Sequence, residues 1–250
     1  MRRRGPLVTA HAGCLGSAPN GAENIRLAAR SGAGAIELDI RLTSDGRVAL
    51  SHDPETLLAD GSVRALRDID WAREGPARHP GAAGGPVLLL DEALDLLESL
   101  RPAGAPPFAL NLDAKEPEAA VAAAGLARRR GWAESVLFSG LEPRDAALVR
   151  GELAGFARLL NADPILPASG YGPESLREAA AVALECGCRG LNLDFRAATE
   201  ALMDYAAPRC LPVFLWTADE PDEMRRVLGL EPYSITTNRP DRLFELLARG

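Results

Sequence analysis

Residues 35–53 read Ala-Ile-Glu-Leu-Asp-Ile-Arg-Leu-Thr-Ser-Asp-Gly-Arg-Val-Ala-Leu-Ser-His-Asp, and this stretch carries the strongest structural signal in the chain. Strand-like apolar runs flank Asp45-Gly46 on both sides, and this dipeptide is typical of tight turns between antiparallel strands. A hairpin that turns there pairs residues whose numbers sum to 91, which sets Asp39 opposite His52. Side chains two apart on a strand share a face, so Glu37 and Asp39 point the same way. The pattern therefore predicts that two acids and an imidazole meet in one small volume.

Strand-like apolar segments recur along the whole chain, with helical patterns between them. The eight predicted barrel strands are Leu7–Ala12, Ala35–Ile40, Pro107–Leu112, Ser135–Phe138, Phe156–Leu160, Gly190–Leu193, Pro212–Leu215 and Tyr233–Thr236. The predicted helices are Glu23–Ser31, Leu90–Leu100, Pro117–Arg130, Pro143–Glu152, Pro173–Glu185, Ala197–Ala206, Glu220–Leu228 and Pro240–Ala248. Strand and helix alternating eight times is typical of a (β/α)8 TIM barrel in the α/β class. A doubly wound parallel sheet is the alternative, although it usually has fewer repeats.

Two segments do not follow this alternation. Val48–Ser51 is strand-like, but no helix fits before it, so we interpret it as the returning arm of a hairpin after the second strand. Residues 53–86 carry turn signals and a glycine-rich cluster, and we expect them to form an insertion over the mouth of the barrel. The prediction is thus a single domain over residues 1–250.

Composition narrows the class of protein. The chain has 250 residues, 47% of them hydrophobic and 25% charged, as expected for a globular protein with a sizeable core. Its net charge of −7 argues against a nucleic-acid partner. We find no targeting segment and no apolar run long enough for membrane insertion, so the expected location is cytoplasmic. The expected partner is a small molecule, and the oligomeric state stays open.

The four cysteines are Cys14, Cys186, Cys188 and Cys210, too scattered for a structural zinc site. We interpret them as free thiols. Cys14 lies near the predicted site and could be a nucleophile, but neighbouring acids would raise its pKa and make it less reactive.

Residues with useful chemistry fall at the ends of the predicted strands. In a TIM barrel the active site lies at the carboxyl ends of the strands, so these side chains should converge. They are His11, Glu37, Asp39, Asp113, Lys115, Trp216 and Asn238, with His52 on the hairpin arm. Asp219, after the seventh strand, is a possible helix cap. Glu37 lies within an apolar strand, where an unpaired charge is costly to bury, which favours a ligand role over a solvated strand-edge acid.

These motifs, in this order, resemble the glycerophosphodiester phosphodiesterase family over nearly the whole chain. The matching elements are His11-Ala12-Gly13, Glu37-Leu38-Asp39, His52-Asp53, Asp113-Ala114-Lys115, Trp216-Thr217 and Asn238-Arg239-Pro240. The resemblance implies metal-dependent hydrolysis of a glycerophosphodiester to sn-glycerol 3-phosphate and an alcohol. It also implies a TIM-barrel fold.

The resemblance gives each candidate residue a role. Glu37, Asp39 and Asp113 would hold a divalent cation, and three carboxylates suit Mg²⁺ or Ca²⁺. His11 and His52 would form the general acid/base pair, since an imidazole pKa of about 6.5 suits proton transfer at neutral pH. Which of them takes the proton first is open. Lys115 and Trp216 would contact the substrate, Lys115 at the phosphate. The structural alternative for Lys115 is an ion pair with Asp113 or Glu116. The structural alternative for Trp216 is a position in the hydrophobic core.

Three positions depart from the family pattern. Ala12 stands where the family usually has arginine, which removes a charge-assisted phosphate contact. Asp113 stands for the usual glutamate, and Asn20 aligns with the family asparagine of an altered Pro-Glu-Asn element. Two alternatives therefore stay open. One is a phospholipase D-like enzyme of the same fold that cleaves lysolipids, and the other is a non-catalytic barrel that binds a phosphorylated ligand.

Overall fold

The computed structural model describes residues 5–80 and 85–249. Within these residues the strands are β1 (Leu7–Ala10), β2 (Ala35–Leu42), β3 (Val48–Leu50), β4 (Glu55–Leu57), β5 (Val63–Ala65), β6 (Leu110–Ala114), β7 (Val136–Ser139), β8 (Ala157–Asn161), β9 (Gly190–Asp194), β10 (Val213–Trp216) and β11 (Ser234–Thr237). Parallel pairing runs through β1, β2, β6, β7, β8, β9, β10 and β11, and β11 pairs with β1. The ring is closed, which confirms the predicted (β/α)8 barrel.

Helices connect the barrel strands. In the described ranges they are α1 (Ala22–Arg30), α2 (Trp71–Glu74), α3 (Leu90–Leu100), α4 (Pro117–Arg130), α5 (Pro143–Leu148), α6 (Pro173–Glu185), α7 (Glu200–Ala206), α8 (Pro221–Gly229) and α9 (Pro240–Arg249). Proline is favoured at the start of a helix because its missing N–H would have no partner there, and five of these helices begin on proline. The helix predicted to start at Ala197 begins at Glu200 instead, where Thr199 accepts a hydrogen bond from the Leu202 N–H at 3.2 Å.

Strand β2 shows why the alternating pattern fixes the fold. Ile36, Leu38 and Ile40 are almost fully buried and belong to the main hydrophobic core, which joins the barrel to its helices. Each such side chain contributes roughly 1.5–3 kcal/mol by leaving water. Glu37 and Asp39 lie on the other face of the strand, because successive side chains point to opposite faces. The core thus turns both acids toward the barrel axis.

The predicted register of the β2–β3 hairpin is wrong by one residue. Ile40 pairs with Leu50 and Leu42 with Val48, so paired numbers sum to 90, and the Ser51 N–H donates to the Asp39 carbonyl at 3.1 Å. Ser51, and not His52, therefore lies opposite Asp39.

The turn explains the shift in register. It is a three-residue loop, closed by a hydrogen bond from the Thr43 N–H to the Arg47 carbonyl and completed by Gly46 at a left-handed φ of 77°. The Asp45 carboxylate accepts a hydrogen bond from the Thr43 hydroxyl at 2.7 Å, within the turn, and another from the Trp71 N–H of α2 at 2.9 Å. A three-residue loop that is also tied to the later helix α2 thus replaces the two-residue turn that Asp-Gly predicts.

The predicted insertion contains the β4–β5 hairpin and helix α2. Leu66 and Trp71 pack with Ala49 and Val87, so this segment is anchored to the barrel hairpin. Its residues 81–84 lie outside the described residues. That the insertion covers the mouth of the barrel, and that residues 1–250 form one domain, stay predictions. Among the described helices, none is long and apolar enough to cross a membrane.

Candidate metal centre and active site

Three carboxylates converge at the carboxyl ends of β2 and β6. The parallel register sets Glu37 beside Asn111 and Asp39 beside Asp113. Carboxylate oxygens of Glu37, Asp39 and Asp113 all lie within 4.8 Å of one another, and the first two residues are only 4% exposed. The structure thus brings together the three predicted metal ligands.

Asp39 and Asp113 are each held by a neutral partner. The Asn20 amide donates to the Asp39 carboxylate at 2.8 Å and accepts from the Asp39 N–H at 3.0 Å. Asn20 adopts a left-handed φ of 59° to make this pair, and it is fully buried. The Ser139 hydroxyl donates to Asp113 at 2.7 Å. These contacts orient the acids and neutralise none of their charge.

Glu37, like Asp39, is almost fully buried. Its Oε2 accepts a hydrogen bond from the Ala12 N–H at 2.8 Å, so position 12 supports the site through its backbone. Burial, followed by the nearby charges of Asp39 and Asp113, raises the pKa of Glu37 well above its ordinary value. A cation in the cluster would favour the ionised form of this group.

Lys115 is the positive charge that the structure places in the cluster. Its Nζ lies 2.7 Å from Asp39 and also contacts Asp113. Burial disfavours the ammonium ion, but Asp113 and Asp39 outweigh burial and raise the pKa of Lys115. Burial likewise works against ionised Asp39, yet Lys115 and Asn20 lower the pKa of that carboxyl below its ordinary value. The predicted pairing with Asp113 is thus present, whereas contact with a phosphate stays a prediction.

His11 follows β1 and reaches the acidic cluster. Its Nε2 lies 3.8 Å from Glu37 Oε2, and its Nδ1 lies 2.9 Å from Asn238 Oδ1. The Asn238 side-chain amide and backbone N–H donate to the Asp219 carboxylate at 2.8 and 2.7 Å. Asp219 is not the helix cap, because the cap residue of α8 is Glu220, whose N–H donates to the Glu223 carboxylate at 3.2 Å. The role of Asp219 was missed because only closure of the barrel brings residues 219 and 238 to His11.

His52 lies on the hairpin arm with its side chain 68% exposed, and its Nδ1 lies 2.9 Å from Asp53. The His52 carbonyl accepts two hydrogen bonds from the Arg41 guanidinium, at 3.0 and 2.8 Å. Arg41 in turn pairs with Glu116 at 2.8 Å. His52 is among the charges that lower the pKa of Asp39, which places it within electrostatic reach of the cluster. Sequence reasoning missed Arg41 and considered Glu116 only as a partner of Lys115.

Trp216 ends β10 and pairs in register with Asp194 of β9. Within the described part of the chain, its indole N–H is buried and has no hydrogen-bond partner, and the same holds for the side-chain oxygen of Asn111. Unpartnered buried polar atoms are costly, so both are candidates for contact with a ligand. The substrate contact predicted for Trp216 stays a prediction.

The fold and the acidic cluster together define a (β/α)8-barrel protein with a candidate metal centre at the carboxyl ends of its strands. The model of the glycerophosphoryl diester phosphodiesterase family matches residues 11–242. The chain belongs to this family. The predicted enzyme class, a phosphoric diester hydrolase, is confirmed.

Individual relatives span almost the same length. The chain is 26% identical to "Probable glycerophosphodiester phosphodiesterase 1" of Mycobacterium tuberculosis, over 98% of this chain and 93% of the relative. It is 28% identical to "Probable glycerophosphodiester phosphodiesterase 2" of the same organism, over 96% and 93%. A solved structure of similar fold is an Oleispira antarctica phosphodiesterase in complex with the product sn-glycerol-3-phosphate, with a TM-score of 0.74, 17% identity and 98% coverage of both chains.

Proposed function

We propose that this protein hydrolyses a glycerophosphodiester to sn-glycerol 3-phosphate and an alcohol, with a divalent cation and two histidines. The observation that carries the proposal is the convergence of three carboxylates beside His11 at the active end of the barrel. Family membership and the product named for the Oleispira relative support the choice of substrate class.

The donor set fits a hard cation. Glu37, Asp39 and Asp113 carry up to three negative charges, and Lys115 supplies one positive charge against them. A divalent ion would balance the remaining two. Oxygen ligands without cysteine favour Mg²⁺ or Ca²⁺. When bound, such an ion would neutralise phosphoryl charge as a Lewis acid.

The remaining chemistry belongs to the side chains. One imidazole of the pair His11 and His52 removes a proton from the attacking oxygen, and the other protonates the leaving alcohol. Lys115 supplies positive charge beside the phosphate, and the Trp216 N–H donates to an oxygen of the substrate. The neutral Ala12 leaves this charge stabilisation to the cation and Lys115.

A metal-replacement assay with matched variants tests the proposal. The protein is treated with EDTA, and release of sn-glycerol 3-phosphate from glycerophosphocholine is followed with glycerol-3-phosphate dehydrogenase as Mg²⁺ or Ca²⁺ is added back. We expect no turnover without metal and recovery with one of the two ions. Asp39→Asn should lose at least about 100-fold in kcat, in the range of a catalytic electrostatic contact. Asp222→Asn, an exposed acid on α8, is the matched control and should keep full activity.

Two results would contradict the proposal. Turnover that persists after EDTA would exclude the metal, and an active Asp39→Asn variant would exclude the acidic cluster. Release of choline from lysophosphatidylcholine, compared with its release from glycerophosphocholine, tests the lysolipid alternative, because cleavage of the lysolipid leaves an acylated glycerol phosphate that the dehydrogenase does not oxidise.

A further inference from the structure

We propose that Asp219 and Asn238 are positioning residues that hold His11 in its Nδ1–H tautomer, with the Nε2 lone pair facing the acidic cluster. The catalytic consequence rests on the function proposed above, whereas the tautomer is a property of the protein alone. One chain of hydrogen bonds runs from Asp219 through Asn238 to the imidazole.

The hydrogen bonds of Asp219 fix the orientation of the Asn238 side-chain amide. An ionised carboxylate can only accept hydrogen bonds. Asp219 accepts from the Asn238 backbone N–H at 2.7 Å, from the Asn238 side-chain nitrogen at 2.8 Å and from the Thr237 hydroxyl at 3.1 Å. The amide nitrogen of Asn238 must therefore face Asp219, and its oxygen must face the other way.

The oriented amide of Asn238 in turn fixes the tautomer of the His11 imidazole. Asn238 Oδ1 is an acceptor and lies 2.9 Å from His11 Nδ1, so this nitrogen must carry the hydrogen. In neutral His11 the lone pair is then at Nε2, the nitrogen that lies 3.8 Å from Glu37. This is the opposite of the tautomer that predominates for histidine in water, so the chain itself must impose it.

The relay is itself held in place. The Thr237 hydroxyl that donates to Asp219 accepts from the Arg239 N–H at 2.9 Å, which defines the direction of both bonds. Asp219 follows β10 and Asn238 follows β11, whereas His11 follows β1, which pairs with β11. Two neighbouring strands therefore orient a ring that lies on a third.

The experiment reads the tautomer directly. The chain has only three histidines, so long-range ¹H–¹⁵N spectra of ¹⁵N-histidine-labelled protein are assigned with His52→Ala and His79→Ala. Spectra are recorded without metal, at a pH well above the ordinary histidine pKa of about 6.5. We expect the Nδ1–H pattern for His11 in the unaltered protein. In Asp219→Asn the partner can donate as well as accept, so Asn238 is free to turn and the Nε2–H form should appear.

Kinetics test the consequence of this tautomer. Asp219→Asn should lower kcat by about 10–100-fold, as for other partners that orient an imidazole, while KM changes much less. The double variant Asp219→Asn, Asn238→Asp again places an acceptor-only group against Nδ1. It should restore the Nδ1–H pattern and at least part of kcat. Asp241→Asn, which removes a nearby exposed acid that pairs with Arg239, is the matched control.

The outcomes separate the two proposals. An Nε2–H pattern in the unaltered protein, or an unchanged Nδ1–H pattern in Asp219→Asn, would overturn the positioning role even if the enzyme is active. An Nδ1–H pattern that responds to Asp219 in a protein without phosphodiesterase activity would support the positioning role and contradict the proposed function. The spectrum of the unaltered protein shows which nitrogen of His11 carries the hydrogen, even if Asp219→Asn fails to fold.

Discussion

The two candidate catalytic histidines are held in different ways. His11 is held through its ring, which contacts Asn238 on one side and faces Glu37 on the other, and its side chain is 32% exposed. His52 is held through its backbone, because Arg41 binds its carbonyl while its ring is 68% exposed and has Asp53 as its partner. One region fixes the orientation of an imidazole, and the other fixes the backbone position of the residue that carries an imidazole.

The largest effect should come from removing either ring. We expect His11→Ala and His52→Ala each to lower kcat by about 10²–10⁴-fold, since each removes a proton-transfer group. Asp222→Asn, on α8, is the control and should stay active, because its side chain is almost fully exposed to solvent. Added imidazole should restore more activity to His52→Ala than to His11→Ala, because the cavity left at the exposed site is open to solvent. Equal rescue of both variants would contradict the contrast between the two regions.

The next effect concerns the backbone of His52. Arg41→Ala removes both donors to the His52 carbonyl, so we expect kcat to fall by about 10–100-fold with little change in unfolding temperature. Glu116→Gln should lower kcat less than Arg41→Ala does. Its amide oxygen can still accept a hydrogen bond from Arg41, or from the Leu42 N–H, which donates to the Glu116 carboxylate at 2.7 Å. Steady-state kinetics of both variants check the order. If Glu116→Gln lowered kcat more than Arg41→Ala, the Glu116 carboxylate would act by a route other than its contact with Arg41.

Asn20 offers a test of stability on the buried side of the site. Asn20→Ala removes two hydrogen bonds to Asp39 and keeps a left-handed backbone that alanine disfavours. We expect the free energy of unfolding in urea to fall by about 1–3 kcal/mol. Asn20→Gly should be less destabilising, by about 1 kcal/mol, because glycine adopts this backbone freely. An equal loss of unfolding free energy in both variants would mean that the left-handed backbone at residue 20 contributes nothing to the difference in stability.

The smallest expected effect concerns the chemical labelling of Cys14, which lies in the loop after His11. Burial raises the pKa of Cys14 to about 11, with smaller contributions from Asp241 and Glu37, so its thiol stays protonated at pH values below this. Iodoacetamide should therefore label the exposed Cys210 in the native protein and leave Cys14 unlabelled, as mass spectrometry of peptides can show. Cys210→Ser is the control that should remove the rapid labelling. Rapid labelling of Cys14 would mean that the loop opens.

The barrel and its acids could be predicted from the sequence because their signals are local. Alternation within residues 35–42 indicates a strand and also shows which side of it carries Glu37 and Asp39. The hairpin register could not be predicted from Asp45-Gly46 alone, because the loop that forms has three residues and its Asp45 also binds the later helix α2. Asp219 and Arg41 were missed for the same reason. Their partners lie 19 and 75 residues away along the chain, and only tertiary contacts join them.

The hydrogen bond between His11 and Asn238 spans 227 positions. During synthesis the ribosome makes both histidines and all three acids within the first half of the chain, but the His11 ring gains its partner only after β11 has been made. A nascent chain, or one cut by a protease before residue 238, therefore contains both candidate catalytic imidazoles and all three acids of the cluster without Asn238, which contacts the His11 ring. On the positioning role proposed for Asn238, a chain that lacks β11 and the residues after it should therefore be less active than the complete barrel.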